Sequence, residues 1–423
     1  MLDKDLKEKF RAILEEELIP AMGCTEPISL AYGAALARHA LGMLPEKAEI
    51  IVSGNIIKNV KSVIVPNTGG LRGIEAAAAA GFVAGAHDKE LEVLSEVTKE
   101  QIQEIAEYLG TDTITVEQSS GGRLFEIVVR AFGGGHTAEV EILDGHTNVT
   151  SIKLDDKELF SASADSTEKT ETDRSVLTVE RIVQYANEVD IEDVKEVLGR
   201  QIRYNTAIAK EGLTGKYGAA IGRVLLNTNE DTVKNRAKAW AAAGSDARMN
   251  GCELPVVINS GSGNQGITAS LPVIVYGEEL KVSEDKLYRG LIVSNLVTIH
   301  LKTGIGKLSA YCGAISAGCG AGAGITYLCG GGYKDIAHTI VNAIAINSGV
   351  ICDGAKASCA AKIASAVEAG LLGMEMYNQG QQFFSGDGIV TKGVEKTIEN
   401  VSEMARNGMK ETDREILKIM MRC

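Results

Sequence analysis

The sequence predicts an α+β protein: an N-terminal α/β part with an antiparallel meander, followed by a mostly α-helical part rich in glycine and alanine. Three observations carry that expectation. Short apolar runs that alternate and are punctuated by glycine crowd residues 46–160, as strands with one buried face do. Beyond residue 175, long alanine-rich stretches replace them. Between the two, "SASADSTEKTETDRS" (161–175) contains no large apolar side chain, which is the composition of a linker.

Residues 1–45 read as two helices. Leu6, Phe10, Ile13, Leu14 and Leu18 fall on one helical face, and Pro20 ends it. In "AMGCTEPISLAYGAALARHALG", Thr25 is the expected N-cap and Pro27 sits in the first turn. Cys24 is therefore expected just outside a helix N-terminus, where the dipole favours the thiolate, the form that binds metal.

From Glu49 the period changes. "AEIIVSG" and "KSVIVPNTGG" read as strands, followed by a helix in "GIEAAAAAGFVAGA" and another near residues 99–109. "ITVEQ", "LFEIVVRAF", "AEVEILDG" and "TNVTSIKLD" are expected to form the meander packed on those helices. The turn in "PNTGG" exposes backbone amides at a strand end, which makes Asn67 and Thr68 candidates for binding an anion. His136 and His146 read as surface or hydrogen-bonded structural residues. In the second half, strand signal survives only in "LPVVINS" and "LPVIVYG". Between them lies "SGSGNQGITAS", a donor-rich nest suited to a carboxylate or phosphate.

Composition narrows the function. With aromatics at 4% and 47 glycines in 423 residues, the core must be filled by small and aliphatic side chains, which suits closely packed helices. A net charge of -13 without a Lys/Arg cluster excludes nucleic acid and anionic membranes, which need a basic face. A small molecule is the expected partner. "MLDKDLKEKFRAILEEEL" lacks the apolar core of a signal peptide, so a cytoplasmic location is expected. Residues 308–333 carry no charge, but eight are glycine, so burial inside protein fits them better than lipid.

Eight cysteines in a reducing compartment point to metal binding or catalysis before disulfides. Cys312 and Cys319 are seven apart, as are Cys352 and Cys359, an interval of about two helical turns. Any one of them reads as a small packing residue. Four thiols among glycine and alanine favour a metal or iron-sulfur site.

"GCTEP" around Cys24, "PNTGG" around Asn67, "DGHTNV" around His146, "AAAGSDARMNGCELPVVINSGSGNQGITASLP", "KLSAYCGAISAGCGAG" and "GVICDGAKASCAAK" together resemble the L-cysteine desulfidase family, which is related to the alpha-type domain of iron-sulfur L-serine dehydratases. The resemblance spans nearly the whole chain. It implies a 4Fe-4S cluster with one open iron, held by Cys24, Cys312 and Cys352, and leaves Cys319 and Cys359 to packing or supporting positions. It also implies an oxygen-sensitive lyase. L-Cysteine would bind the open iron through sulfur, Ser260, Ser262, Asn264 and Gln265 would take its carboxylate, and a base would remove the α-proton, giving pyruvate, ammonia and hydrogen sulfide.

For that base the sequence offers His300 and Lys302, near Cys312, and Lys356, beside Cys352, with Asp353 as a further candidate or a helix cap. L-Serine dehydration is the alternative on the same cluster. A pyridoxal-phosphate lyase is a further reading, drawn from the glycine-rich loop and "CGGGY", with Lys234 and Lys238 as the upstream lysines. A cluster-bearing binding protein without catalysis is another, and a homodimer stays open as the assembly. Cys423 carries a thiol and the terminal carboxylate together, as a substrate cysteine does, so it reads either as an internal substrate mimic or as a frayed terminus.

Overall fold

The computed structural model describes residues 2–162, 172–306 and 308–422. Most of the predicted linker, and Cys423, lie outside the described residues. Helix α1 (Lys4–Glu17) is capped by Asp3 and buries Phe10, Ile13 and Leu14, as its spacing predicts. After β1 (Pro20–Met22), helix α2 (Thr25–Leu41) begins with Cys24 itself as N-cap rather than Thr25. Thr25 is one residue inside, and its hydroxyl donates to the Gly261 carbonyl at 3.1 Å.

There follow β2 (Lys47–Val52), α3 (Gly54–Val60), α4 (Ile74–Ala84), α5 (Lys99–Leu109), β3 (Ile114–Gln118), β4 (Glu126–Gly133), β5 (His136–Leu143), β6 (Val149–Leu154) and β7 (Lys157–Ser161). They build one six-stranded sheet in the order β3-β2-β4-β5-β6-β7. Strand β7, which was not predicted, extends the sheet antiparallel to β6. The meander β4 to β6 is as expected. The edge is not: β3, the "ITVEQ" run, pairs parallel with β2, which separates it from β4. A parallel pair needs a long crossover, and α3 to α5 supply it. The second predicted strand, "KSVIVPNTGG", does not form, and its residues turn around a single bridge between Ile64 and Arg72. Pro66 lacks a ladder donor, and Asn67 at φ +56° reverses the chain directly after it.

Helix α2 lies across the sheet and against α4. The approach is close, since a Cβ at Gly81 would sit 2.1 Å from the Ala31 carbonyl oxygen.

The second half comprises α6 (Val179–Glu188), α7 (Lys195–Thr214), α8 (Ile221–Thr228), α9 (Val233–Met249), β8 (Pro255–Val257), α10 (Gly263–Glu279), α11 (Glu284–Ile305), α12 (Gly313–Leu328), α13 (Tyr333–Asn347), α14 (Cys359–Asn378), α15 (Val394–Glu403) and α16 (Lys410–Met421). Strand β8 is all that forms of "LPVVINS"; it pairs antiparallel with β1, Pro20 opposite Val257. "LPVIVYG" is not a strand but part of α10, with Pro272 inside the helix. Its apolar residues are buried on every side, and a fully buried helix loses the periodicity that separates it from a buried strand.

The charge-free stretch becomes α12, packed among α10, α11, α13 and α14. Its glycines allow this: a Cβ at Gly318 would lie 2.3 Å from the Ala366 carbonyl oxygen, and one at Gly322 would lie 2.7 Å from that of Gly370. Among the described residues no helix is long and apolar enough to cross a membrane. One buried cluster runs from Phe10 to Ala405 through both halves. Arg174, just past the undescribed segment, is tied to Glu16 at 2.7 Å and Glu17 at 2.9 Å.

Candidate functional site

Four helices begin at one cavity of about 110 Å³. Cys24 is the N-cap of α2, Ser262 of α10 and Cys312 of α12, while Cys359 opens α14 after Ser358. None of these four N-caps makes a side-chain capping hydrogen bond. Helix N-termini carry free N–H groups and the positive end of the dipole, so four converging uncapped ends favour negative charge between them.

Cys352 enters the same cavity from the loop before α14. An antiparallel bridge between Tyr311 and Ile351 fixes it beside Cys312: the Cys312 amide donates to Val350 at 3.1 Å and the Cys352 amide to Ala310 at 2.6 Å. The thiols are thus paired across 40 residues, Cys312 with Cys352, and not in the seven-residue pairs that spacing suggests. Cys319 lies buried inside α12 and does not line the cavity. Cys359 does line it, with its thiol donating to the Gly354 carbonyl at 3.6 Å. Burial pushes Cys24 up to about 12, opposed by the charge of Arg248. Burial and then the neighbouring Cys352 raise Cys312, also to about 12.

The proton-transfer candidates separate sharply. Lys302 lines the cavity, is 4% exposed and has no ion-pair partner among the described residues. Burial brings it down to about 8, against the pull of Cys352 and Cys312. His300 is two residues earlier on α11, about 200° around the helix. It faces away and its Nε2 pairs with Glu395 at 2.7 Å. Lys356 pairs with Asp353 at 2.9 Å, and Asp353 also binds Lys362. Neither His300 nor Lys356 reaches the cavity wall.

Of the anion-binding candidates, Ser262, Asn264 and Gln265 line the cavity. Ser260 does not; at φ +50° its hydroxyl turns back to donate to Asn259 Oδ1 at 2.9 Å. Asn67 and Thr68 are also elsewhere, donating to the carbonyls of Leu94 and Val65, each at 2.7 Å. Asn264 Oδ1 and Gln265 Oε1 are buried without a hydrogen-bond partner among the described residues. His146, from the sheet, packs against Gly261, where a Cβ would lie 3.3 Å from its ring, and so backs this loop from outside. Lys234 and Lys238 do not line the cavity and are held in ion pairs with Glu368 and Glu375, which leaves the pyridoxal-phosphate reading without either of its upstream lysines there.

Sequence reasoning missed Arg248 and Lys58. Both line the cavity. Arg248 ends α9 within a run of buried residues from Ala241 to Met249, and a charged residue inside such an alanine-rich run was the available signal. It is 4% exposed, and its Nε is buried without a partner among the described residues. Lys58 is buried against Asp413 of α16 at 2.5 Å. Among the described residues, no three metal-binding side chains close on a single-ion centre. Cys24, Cys312, Cys352 and Cys359, spread around the wall, are the thiols that line it; a coordinating metal deprotonates thiols that burial alone keeps protonated.

A family model described as "Serine dehydratase alpha chain" matches residues 88–418. A UPF0597 protein of Desulfitobacterium hafniense is 59% identical over 97% of this chain and 95% of its own. One from Lachnoclostridium phytofermentans is 51% identical over 98% and 99%, and one from Treponema denticola 46% identical over 100% and 99%. The chain belongs to the serine dehydratase alpha chain family.

Proposed function

We propose that this member of the serine dehydratase alpha chain family is an iron-sulfur-dependent lyase that converts L-cysteine to pyruvate, ammonia and hydrogen sulfide. The observation that carries the reading is the convergence of Cys24, Cys312 and Cys352 on a cavity ringed by four uncapped helix N-termini, with the amine of Lys302, which has no ion-pair partner among the described residues, in its wall. Those three thiolates would hold a 4Fe-4S cluster. When bound, the cluster supplies an open iron, a Lewis acid for the departing group on Cβ.

The chain's own residues do the rest. The helix N-termini offset the negative charge of three thiolates in a buried place. Lys302, brought down to about 8, is available in part as a neutral amine near neutral pH and takes the α-proton. The electron pair of the Cα–H bond forms the Cα–Cβ double bond as sulfide leaves with the Cβ–S pair. The resulting aminoacrylate tautomerises to an imine, and water replaces ammonia to give pyruvate. No net oxidation occurs.

L-Serine is the second reading, favoured by the serine dehydratase description of the matching family; water then leaves in place of sulfide. Anaerobic purification, iron and acid-labile sulfide determination, and pyruvate and sulfide assays with both amino acids test the proposal. Iron-loaded protein that releases pyruvate from neither substrate sinks it.

A further inference from the structure

The cavity contains polar groups of both signs that the fold leaves unanswered. Arg248 is the cationic one. Retaining a buried guanidinium without an anion is costly, yet no carboxylate of the described residues pairs with it. Asp246, two residues earlier, is engaged by the Gly222 amide of α8 at 3.0 Å. Glu26, in the same cavity wall, receives the Thr25 hydroxyl at 3.1 Å.

The acceptors stand beside it. Asn264 Oδ1 and Gln265 Oε1 are buried oxygens with no donor among the described residues. Gly263 brings the two sets together, since a Cβ there would lie 2.2 Å from Arg248 Nε; only glycine lets the guanidinium lie against this loop. Gln265 extends toward the thiols, and its side chain packs 2.7 Å from where a Cβ on Gly313, next to Cys312, would be.

We propose that Arg248 anchors the α-carboxylate of the substrate and that the amide oxygens of Asn264 and Gln265 receive its α-ammonium group, so that the cavity selects α-amino acids by their zwitterion. This rests on the reading that the cavity takes an amino acid, and it reverses the role given to the loop side chains by sequence, which assigned them the carboxylate. A guanidinium on the carboxylate also lowers the cost of developing negative charge at Cα when the proton leaves.

The test uses ligands that cannot eliminate. Binding of L-alanine, propionate and ethylamine to the anaerobically purified iron-loaded protein is measured by calorimetry. L-Alanine is expected to bind at least tenfold more tightly than either truncated analogue. Arg248→Met is expected to weaken L-alanine roughly 10- to 100-fold, as loss of a charged hydrogen bond does, with Arg248→Lys in between and iron content and circular dichroism unchanged. Asn264→Leu is expected to narrow the preference for L-alanine over propionate, which gives a second route if Arg248→Met does not fold. Wild-type protein that fails to bind L-alanine, or binds ethylamine equally well, overturns the proposal, as does an Arg248→Met protein that binds L-alanine unchanged. Because L-alanine carries no leaving group, its binding with no pyruvate formed from cysteine or serine would refute the lyase reading alone.

Discussion

The turn at Asn67 and the loop at Asn264 offer similar side chains, and each contains a non-glycine residue at positive φ, Asn67 at +56° and Ser260 at +50°. One is closed on itself. Asn67 and Thr68 donate from their side chains to the carbonyls of Leu94 and Val65, and neither residue lines the cavity. The other leaves Asn264 Oδ1 and Gln265 Oε1 buried and unanswered beside a cavity. The same contrast divides the basic residues: His300 and Lys356 are paired with Glu395 and Asp353, whereas Lys302 and Arg248 face the cavity without a counter-ion among the described residues. Polar groups satisfied by the fold hold the fold, and those it leaves unsatisfied mark where something else binds.

The largest expected effect falls on the thiols. Cys24→Ala, Cys312→Ala and Cys352→Ala should each lose most bound iron and lower turnover by more than about 100-fold, because outer-sphere changes alone cost metal sites roughly 10- to 100-fold. Cys319→Ala, inside α12 and away from the cavity, should keep its iron and lose only stability. Iron measured by colorimetry after anaerobic purification checks both. Retention of full iron and activity by Cys24→Ala would falsify the cluster assignment.

Lys302 comes next. Lys302→Met should lower kcat by roughly 10²- to 10⁴-fold, the range for losing a general base, while His300→Gln should leave kcat within a few-fold. The two variants should also differ in stability. With Lys302 at about 8 in the folded protein against an ordinary value of 10.5, the unfolded chain binds the proton between those pH values and the folded chain does not. Stability therefore rises with pH across that window, and the burial cost, on the order of 3 kcal/mol, is present in full below pH 8. Lys302→Met should be more stable than the parent at pH 7, with the gain shrinking as pH approaches 10.5. Its kcat/KM profile should lack the limb that rises near pH 8. A profile unchanged in shape would remove Lys302 from proton transfer.

How far this contrast could be read from sequence depends on which property carried it. Local periodicity gave away α1, α5 and the meander, because each depends on neighbours a few residues away. The pairing of β3 with β2 was hidden because it is set by a crossover more than 50 residues long, and residues 271–277 were misread because complete burial erases period. Four cavity thiols were singled out, but the partner of Cys312 was not Cys319: the bridge through Tyr311 and Ile351 belongs to backbone pairing, which no cysteine spacing reports. Arg248 was passed over because a buried, unpaired cation is informative only once its burial is known.

The smallest effects sharpen the opening comparison. Asn264→Leu should raise KM for cysteine about tenfold, the loss expected when a buried acceptor for a charged donor is removed, with iron content unchanged. Asn67→Ala should instead cost stability, about 1 kcal/mol for one lost hydrogen bond to the Leu94 carbonyl, and leave KM where it was. Thr68→Val should behave likewise, since its hydroxyl serves only the Val65 carbonyl. The pair of readouts matters more than either alone. If Asn67→Ala moves KM while its midpoint of thermal unfolding stays fixed, the turn has a role at the cavity that its satisfied hydrogen bonds do not disclose, and partnerlessness is not the mark of function in this molecule.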